Sequence, residues 1–88
     1  MAIQRTDYGF IYHKRGNHDV IFEISDEDLA ADPTYFGYLS VDGSWLIQER
    51  NAASGTYRYA IGTSGYKTAV TGAWATRAAL TYVHYNDL

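Results

Sequence analysis

The 88-residue chain contains no cysteine, which excludes disulfide bonds, thiolate metal ligands and a cysteine nucleophile. It has a single proline and few charges, since 19% of its residues are charged and 47% are hydrophobic. Disordered chains have the opposite composition, rich in charge and poor in aromatic residues. The length allows one small core, so we expect a single ordered domain over residues 1–88, with residues 1–7 as a flexible arm.

Positive charge is also scarce. Seven Lys and Arg residues stand against ten Asp and Glu residues, and the formal net charge is -3. A nucleic-acid-binding protein needs a cationic surface to neutralise phosphates, so nucleic acid is not an expected partner. No apolar run approaches the ~20 residues of a membrane span, and no signal peptide opens the chain. We therefore expect no membrane partner and no export by the common route.

Aromatic residues are the feature that the chain has in excess, at 16%, and nine of them are Tyr. They are concentrated in residues 35–50 and 56–61, which read as three antiparallel strands. Asp42-Gly43 has the chemistry of a tight hairpin turn. With that turn, Tyr38 should lie opposite Ile47, and Ile47 opposite Tyr59. This register predicts one aromatic face, made by Phe36, Tyr38, Trp45, Ile47, Tyr57, Tyr59 and Ile61.

The N-terminal third predicts a hairpin followed by a short helix. Residues 8–13 and 20–24 are rich in β-branched and aromatic types, and Gly16-Asn17 can turn between them. Ile11 should then face Phe22. Ser25 begins an acidic segment, residues 25–28, that has the pattern of a helix capping box, and Asp32-Pro33 would end the helix within about two turns.

The C-terminal third predicts a long surface loop over residues 62–72, helical turns within 74–79 and a final strand over 80–85. The whole chain therefore predicts a mainly β fold with about six strands and one or two short helical turns. The strands would form a small antiparallel sheet, either as a partly open barrel or as a sandwich of two hairpin units.

No residue pattern points to catalysis. His13, His18 and His84 lack the spacing of a metal site. Ser44 lies outside a G-x-S-x-G nucleophile elbow, and Ser64 lacks the G-K-[ST] ending of a phosphate-binding loop. We therefore expect no catalytic residue, no metal and no cofactor, and a protein that is not an enzyme.

The aromatic residues outside the predicted sheet are the better candidates for contact with a partner. Tyr66 and Trp74 lie in or beside the long loop, and Arg77 can stack or pair near Trp74. With Tyr85 they make a candidate contact surface of Tyr66, Trp74, Arg77 and Tyr85.

The order of aromatic, turn and glycine positions in residues 35–85 resembles that of a group of phage proteins. The motifs are Tyr38-x-x-x-Asp-Gly-Ser-Trp45-x-Ile, Thr56-Tyr-Arg-Tyr-Ala, Gly65-Tyr66 and Trp74-x-x-Arg-Ala-x-Leu80-x-Tyr82. They resemble small uncharacterised proteins encoded near the virion structural genes of tailed bacteriophages. The resemblance implies a virion component, made in the host cytoplasm, such as a tail, baseplate, fibre or head-decoration subunit.

Three functions remain open at this point. The leading hypothesis is a non-enzymatic assembly protein that packs against copies of itself or a larger virion protein. The first alternative is a module that binds a glycan or a receptor, with Tyr66 and Trp74 as its platform. The second alternative is a small acidic inhibitor of a host protein, whose acidic residues would form one surface: Asp26, Glu27, Asp28 and Asp32.

Overall fold

The described residues form one antiparallel sheet. The computed structural model describes residues 10–15 and 18–88, with side chains described at 10, 11 and 20–88. Five strands follow one another in chain order, and the sheet is curled into a half-barrel. They are β1 Phe10–Arg15, β2 His18–Asp28, β3 Thr34–Leu39, β4 Trp45–Asn51 and β5 Thr56–Gly62. The mainly β class is confirmed, with five strands in the described residues where about six were predicted. The predicted arm and the Gly16-Asn17 turn lie outside the described residues.

The first hairpin has the register that the sequence predicts. Ile11 pairs with Phe22, and Lys14 pairs with Asp19. The four apolar residues expected on one face lie in one cluster: Ile11, Val20, Phe22 and Ile24. Alternation along two strands and a compatible turn length agree here, so a local pattern is sufficient to fix the register.

The predicted helix after Ser25 is wrong, because β2 continues as a strand to Asp28. Asp26 pairs with Gly37, and Asp28 pairs with Tyr35. The register shifts between Ile24 and Asp26, which makes Ser25 the extra residue of a β-bulge. Pairing with β3 satisfies the backbone on both sides of the bulge, and this outweighs the local preference for a helix start.

The predicted register of the central strands is wrong by one residue. Tyr38 pairs with Leu46 where Ile47 was expected. Ile47 pairs with Ala60 where Tyr59 was expected. Because side chains alternate along a strand, each shift of one residue reverses which side chains of the two strands share a face.

The turns explain both shifts. The β3–β4 loop closes between Ser40 and Ser44, whose backbone N–H and C=O bond at 2.9 Å. The Asp42 carboxylate accepts a bond of 2.9 Å from the Ser44 amide. The β4–β5 loop closes on the pair Asn51 and Thr56, one residue later on β4 than the predicted pair of Arg50 and Thr56. Loop geometry of this kind depends on side-chain bonds that turn composition alone does not specify.

The aromatic residues are therefore divided between the two sides of the sheet, and the predicted single aromatic face is wrong. One side, called here the Phe22 face, buries Val20, Phe22, Phe36, Tyr38 and Leu46, with Ile11, Ile24, Tyr59, Ile61 and Leu88 packed against them. The other side, called the Trp45 face, buries Tyr35, Trp45, Ile47, Ala60, Tyr66 and Ala73, with Leu39, Trp74, Leu80 and Tyr82 packed against them.

Residues 63–82, which follow β5 and are called here the covering segment, lie over the Trp45 face. The predicted surface loop, residues 62–72, is exposed over most of its length but buries Tyr66, and Ala73, which follows it, is buried as well. The predicted helical turns are present as one 3-10 turn, Arg77–Ala79. The predicted last strand is wrong: Val83 makes an isolated bridge to Tyr59, with bonds of 2.7 and 2.9 Å, and a 3-10 turn follows at Tyr85–Asp87. Apolar residues in the segment are spaced to cover the sheet rather than to extend it.

Candidate interaction site

The bulge at Ser25 directs two acidic side chains to the Trp45 face. Before the bulge, Ile24 lies on the Phe22 face. Simple alternation would place Asp26 and Asp28 on that same face. The extra residue reverses the alternation, so both acids lie beside residues of the covering segment. We call this group the acid–aromatic cluster: Asp26, Asp28, Tyr66, Lys67, Trp74 and Arg77.

Asp26 accepts hydrogen bonds from three side chains. Tyr66 Oη and Ser25 Oγ each donate to its Oδ2 at 2.9 Å, and Lys67 Nζ donates to Oδ1 at 3.0 Å. Burial alone would raise the pKa of Asp26, but the bonds from Lys67, Ser25 and Tyr66 outweigh it and lower the pKa below the ordinary value. The Lys67 side chain is 57% exposed, so its ion pair is the weaker part of this arrangement.

Asp28 is held by Arg77 from the covering segment. Arg77 Nε and Nη2 donate to the same oxygen, Asp28 Oδ2, at 3.2 and 2.8 Å. Its Nη1 donates to the backbone oxygen of Trp74 at 2.7 Å, and its guanidinium carbon lies 4.5 Å from the centre of the Trp74 ring. The bonds from Arg77 lower the pKa of Asp28. Arg77 therefore connects the end of β2 to the covering segment through charge, hydrogen bonds and ring stacking at once.

Tyr66 is the buried centre of the cluster. It is 4% exposed, and its ring packs on that of Trp74 with 6.0 Å between centres. Burial, and then the bond to Asp26, raise the pKa of Tyr66 far above its ordinary value, so the phenol stays protonated and donates. Tyr82 bonds in the same region, from its hydroxyl to the backbone oxygen of Arg77 at 2.8 Å.

Three of the four residues of the predicted contact surface are brought together, although not as an open surface. Tyr66, Trp74 and Arg77 contact one another on the Trp45 face, and Tyr66 is buried by them. Tyr85 lies elsewhere, with its ring 5.2 Å from that of Tyr59 in an edge-to-face arrangement. Contact of these four residues with a partner stays a prediction.

A groove on the Phe22 face is the feature that sequence reasoning missed. It has a volume of about 320 Å³ and lies at the end of the sheet where β2 leaves its pairing. We call it the end groove, lined by Glu27, Leu29, Phe36, Gln48, Arg50 and Tyr57. Leu29 is 60% exposed and Tyr57 is 47% exposed. Leu29 was expected in a helix and Tyr57 inside the aromatic face, so no sequence signal placed them side by side.

The end groove carries one charge of each sign. Glu27 pairs with Phe36 across the β2–β3 ladder. Arg50 pairs with Tyr57 on β5, and its guanidinium carbon lies 5.6 Å from the Tyr57 ring centre. The ion pairs among the described side chains are Lys67–Asp26 and Arg77–Asp28, so neither groove charge has an ion-pair partner in the part of the chain that the structure describes. The groove therefore offers an apolar floor between two available charges.

The lowered pKa values of the two aspartates predict a loss of stability in acid. Each carboxylate is more acidic in the folded protein than in the unfolded chain, so its contribution is complete above the ordinary pKa of 3.8 and is lost as the pH falls through the lower folded-state values. Melting temperatures of the protein and of Asp26→Asn, measured from neutral pH into acid, should differ at neutral pH and converge below the ordinary pKa. A difference that persists undiminished in acid would contradict this assignment.

No protein-family model, curated protein or solved structure matches this chain. Among residues 10–15 and 18–88, no helix is long and apolar enough to cross a membrane. The same described residues contain no group of three or more His, Asp or Glu side chains that could hold a metal ion. The acid–aromatic cluster and the end groove are therefore the structural features that bear on function.

Proposed function

We propose that this protein is a non-enzymatic assembly protein that packs against other protein surfaces, as a tail, baseplate, fibre or head-decoration subunit of a tailed-bacteriophage virion. The end groove is the observation that supports packing. Leu29 and Tyr57 expose large apolar surfaces there, next to Arg50. Aromatic residues and Arg are enriched at the centres of protein interfaces, where they account for most of the binding free energy.

The acid–aromatic cluster supports the same role by fixing the strand that carries the groove. Residues alternate after the bulge, so Asp28 faces the cluster while Glu27 and Leu29 line the groove. Arg77 bonds to Asp28 on the Trp45 face, opposite the groove. A partner would therefore meet a preformed surface and lose little conformational entropy on binding.

The assignment to a virion is supported by the resemblance over residues 35–85. Three of its positions, Tyr66, Trp74 and Arg77, are members of the acid–aromatic cluster. These three side chains attach the covering segment to the sheet through their contacts with β2 and with one another. The resemblance therefore includes residues that stabilise the fold. Symmetric packing would suit a chain of 88 residues, because a small single core supplies limited stability.

The two alternative functions have less support. A glycan platform on Tyr66 and Trp74 is disfavoured because Tyr66 is buried and Arg77 covers the Trp74 ring. The acidic inhibitor surface is divided, since Asp26 and Asp28 bond inside the cluster. Asp32 accepts bonds from the backbone of the β4–β5 loop at 2.7 and 3.1 Å.

The proposed function predicts that the chain is a constituent of the virion and enters it through the groove. Mass spectrometry of purified particles of the phage that carries the gene should find the chain in a fixed ratio to the major structural proteins. Leu29→Asp should reduce its incorporation at least about tenfold, because a charge would be buried at the centre of the interface. Val41→Asp is a matched control, since Val41 is fully exposed on the β3–β4 loop.

Two results would overturn this proposal. The first is absence of the chain from particles. The second is equal incorporation of Leu29→Asp and Val41→Asp, which would remove the end groove as the contact.

A further inference from the structure

We infer that the end groove binds a second copy of this chain, in a twofold dimer in which Glu27 of each copy pairs with Arg50 of the other. This inference rests on the proposed assembly function, because it names one partner for the same groove. The occupant is identified by the charges that the groove presents.

A twofold interface is formed by the same surface on both copies. If one residue contacts a second residue of the other copy, the second residue also contacts the first across the interface. A groove with a single sign of charge would repel its own copy. The end groove instead has Glu27 on β2 and Arg50 on β4, and Phe36 and Gln48 lie between them. Two copies in antiparallel contact can therefore form two ion pairs, and no like charges need to meet.

The apolar residues give the contact its centre. Leu29 is 60% exposed and projects at the end of β2, beside the exposed edge of Tyr57. In a twofold dimer each Leu29 can fill the groove of the other copy, which removes both side chains from water. Gln48 is already oriented, because its amide donates to the Tyr59 hydroxyl at 3.0 Å. The Gln48 side chain therefore needs no rearrangement when the groove is filled.

A stable dimer needs more surface than the six lining residues alone. A stable interface buries about 800 Å² on each partner, which is roughly a seventh of the 5653 Å² of this chain. The six lining residues make the centre of such an area, and the rim must come from their neighbours. We therefore expect association at micromolar concentrations rather than a permanent dimer.

The experiment is a pair of charge reversals analysed singly and mixed, by sedimentation velocity on the full chain. The unsubstituted protein should show a concentration-dependent dimer. Glu27→Arg and Arg50→Glu should each weaken self-association at least about tenfold, because like charges would face each other. An equimolar mixture of the two variants should form a heterodimer with two ion pairs, one between the unchanged Glu27 and Arg50 and one of reversed polarity between the two substituted side chains. Recovery in the mixture cannot arise from misfolding of either variant.

Matched controls separate groove charge from total charge. Arg58→Glu changes the net charge as Arg50→Glu does, but Arg58 is exposed on the opposite side of β5 and should leave association unchanged. Glu23→Arg serves in the same way for Glu27→Arg, since Glu23 is exposed and lies before the bulge. Equal weakening by the controls would overturn the inference.

Other outcomes discriminate between this inference and the proposed function. A protein that remains monomeric throughout the micromolar range, or a mixture that does not recover, overturns the dimer. If such a monomer is present in particles, the groove serves a different virion protein and the proposed function stands. If the charge-reversal pattern holds but the chain is absent from particles, the dimer stands and the virion assignment fails.

Discussion

Tyr66→Ala is expected to lower the free energy of unfolding by about 3–5 kcal/mol, the range for truncating a buried aromatic residue. Tyr66 is 4% exposed and contacts the core of the Trp45 face. Its removal would leave a cavity beneath Trp74 and would leave Asp26 without one of its three donors. Urea unfolding followed by tryptophan fluorescence measures the loss, because Trp45 and Trp74 both lie on this face.

Two milder substitutions keep this prediction measurable, since the loss expected for the alanine variant is a large share of the total stability of a domain, about 5–15 kcal/mol. Tyr66→Phe keeps the ring and removes only the hydroxyl, so a loss of about 1 kcal/mol is expected. Tyr66→Leu should fall between the two. A loss below about 1 kcal/mol for all three variants would mean that Tyr66 serves an external contact, as the sequence suggested, and not the core.

Local signals predicted the parts of the fold in which they agreed with one another. In the first hairpin, alternation on both strands and a two-residue turn gave the same register, with Ile11 opposite Phe22. The central strands were placed correctly along the chain, but their register depends on the bond between Ser44 and the Asp42 carboxylate. The turn that contains this bond is one residue longer than the sequence predicts. A shift of one residue is enough to move the side chains of a strand to the other face of the sheet.

The sequence predicted some members of the acid–aromatic cluster but not the contacts between them. Tyr66, Trp74 and Arg77 were selected together because they are aromatic or cationic and lie outside the predicted sheet. Their partners Asp26 and Asp28 are 40 and 49 residues away from Tyr66 and Arg77 along the chain. A capping box at residues 25–28 would need only local bonds, whereas the bulge places both carboxylates against distant residues, a contact that a single sequence does not display.

The end groove was outside the reach of sequence reasoning for a related reason. The sequence predicted Tyr57 on a buried aromatic face, whereas the structure pairs it with Arg50 at the exposed end of the sheet. Tyr57 is exposed because it lies near the end of the sheet where the β2–β3 pairing stops, whereas Tyr38 and Leu46 lie further inside and are buried. Exposure at the end of a sheet is a property of where neighbouring chain segments pass, not of the residues that become exposed.

Gly37→Ala is expected to lower the free energy of unfolding by about 1–3 kcal/mol, the cost of overpacking a filled core. Gly37 lies in β3 between Asp26 and Ile47, directly beneath the cluster. A Cβ atom there would coincide with the Tyr66 hydroxyl and would lie 2.9 Å from two carbons of the Trp74 ring. Its backbone has no positive φ, so the cost comes from the rings above it and not from backbone strain.

The sign of the Gly37→Ala effect is decisive, because entropy of the unfolded chain alone would make the substitution stabilising by about 0.4–1 kcal/mol. Chemical denaturation of Gly37→Ala, Tyr66→Phe and the double variant forms a cycle that isolates the contact. Removing the hydroxyl vacates the position that the Cβ would meet, so alanine should cost less in the Tyr66→Phe background, although Trp74 still prevents full recovery. Stabilisation by Gly37→Ala, or an equal cost in both backgrounds, would show that the Tyr66 hydroxyl does not rest on this glycine, and the bond from Tyr66 to Asp26 would then need a different geometry.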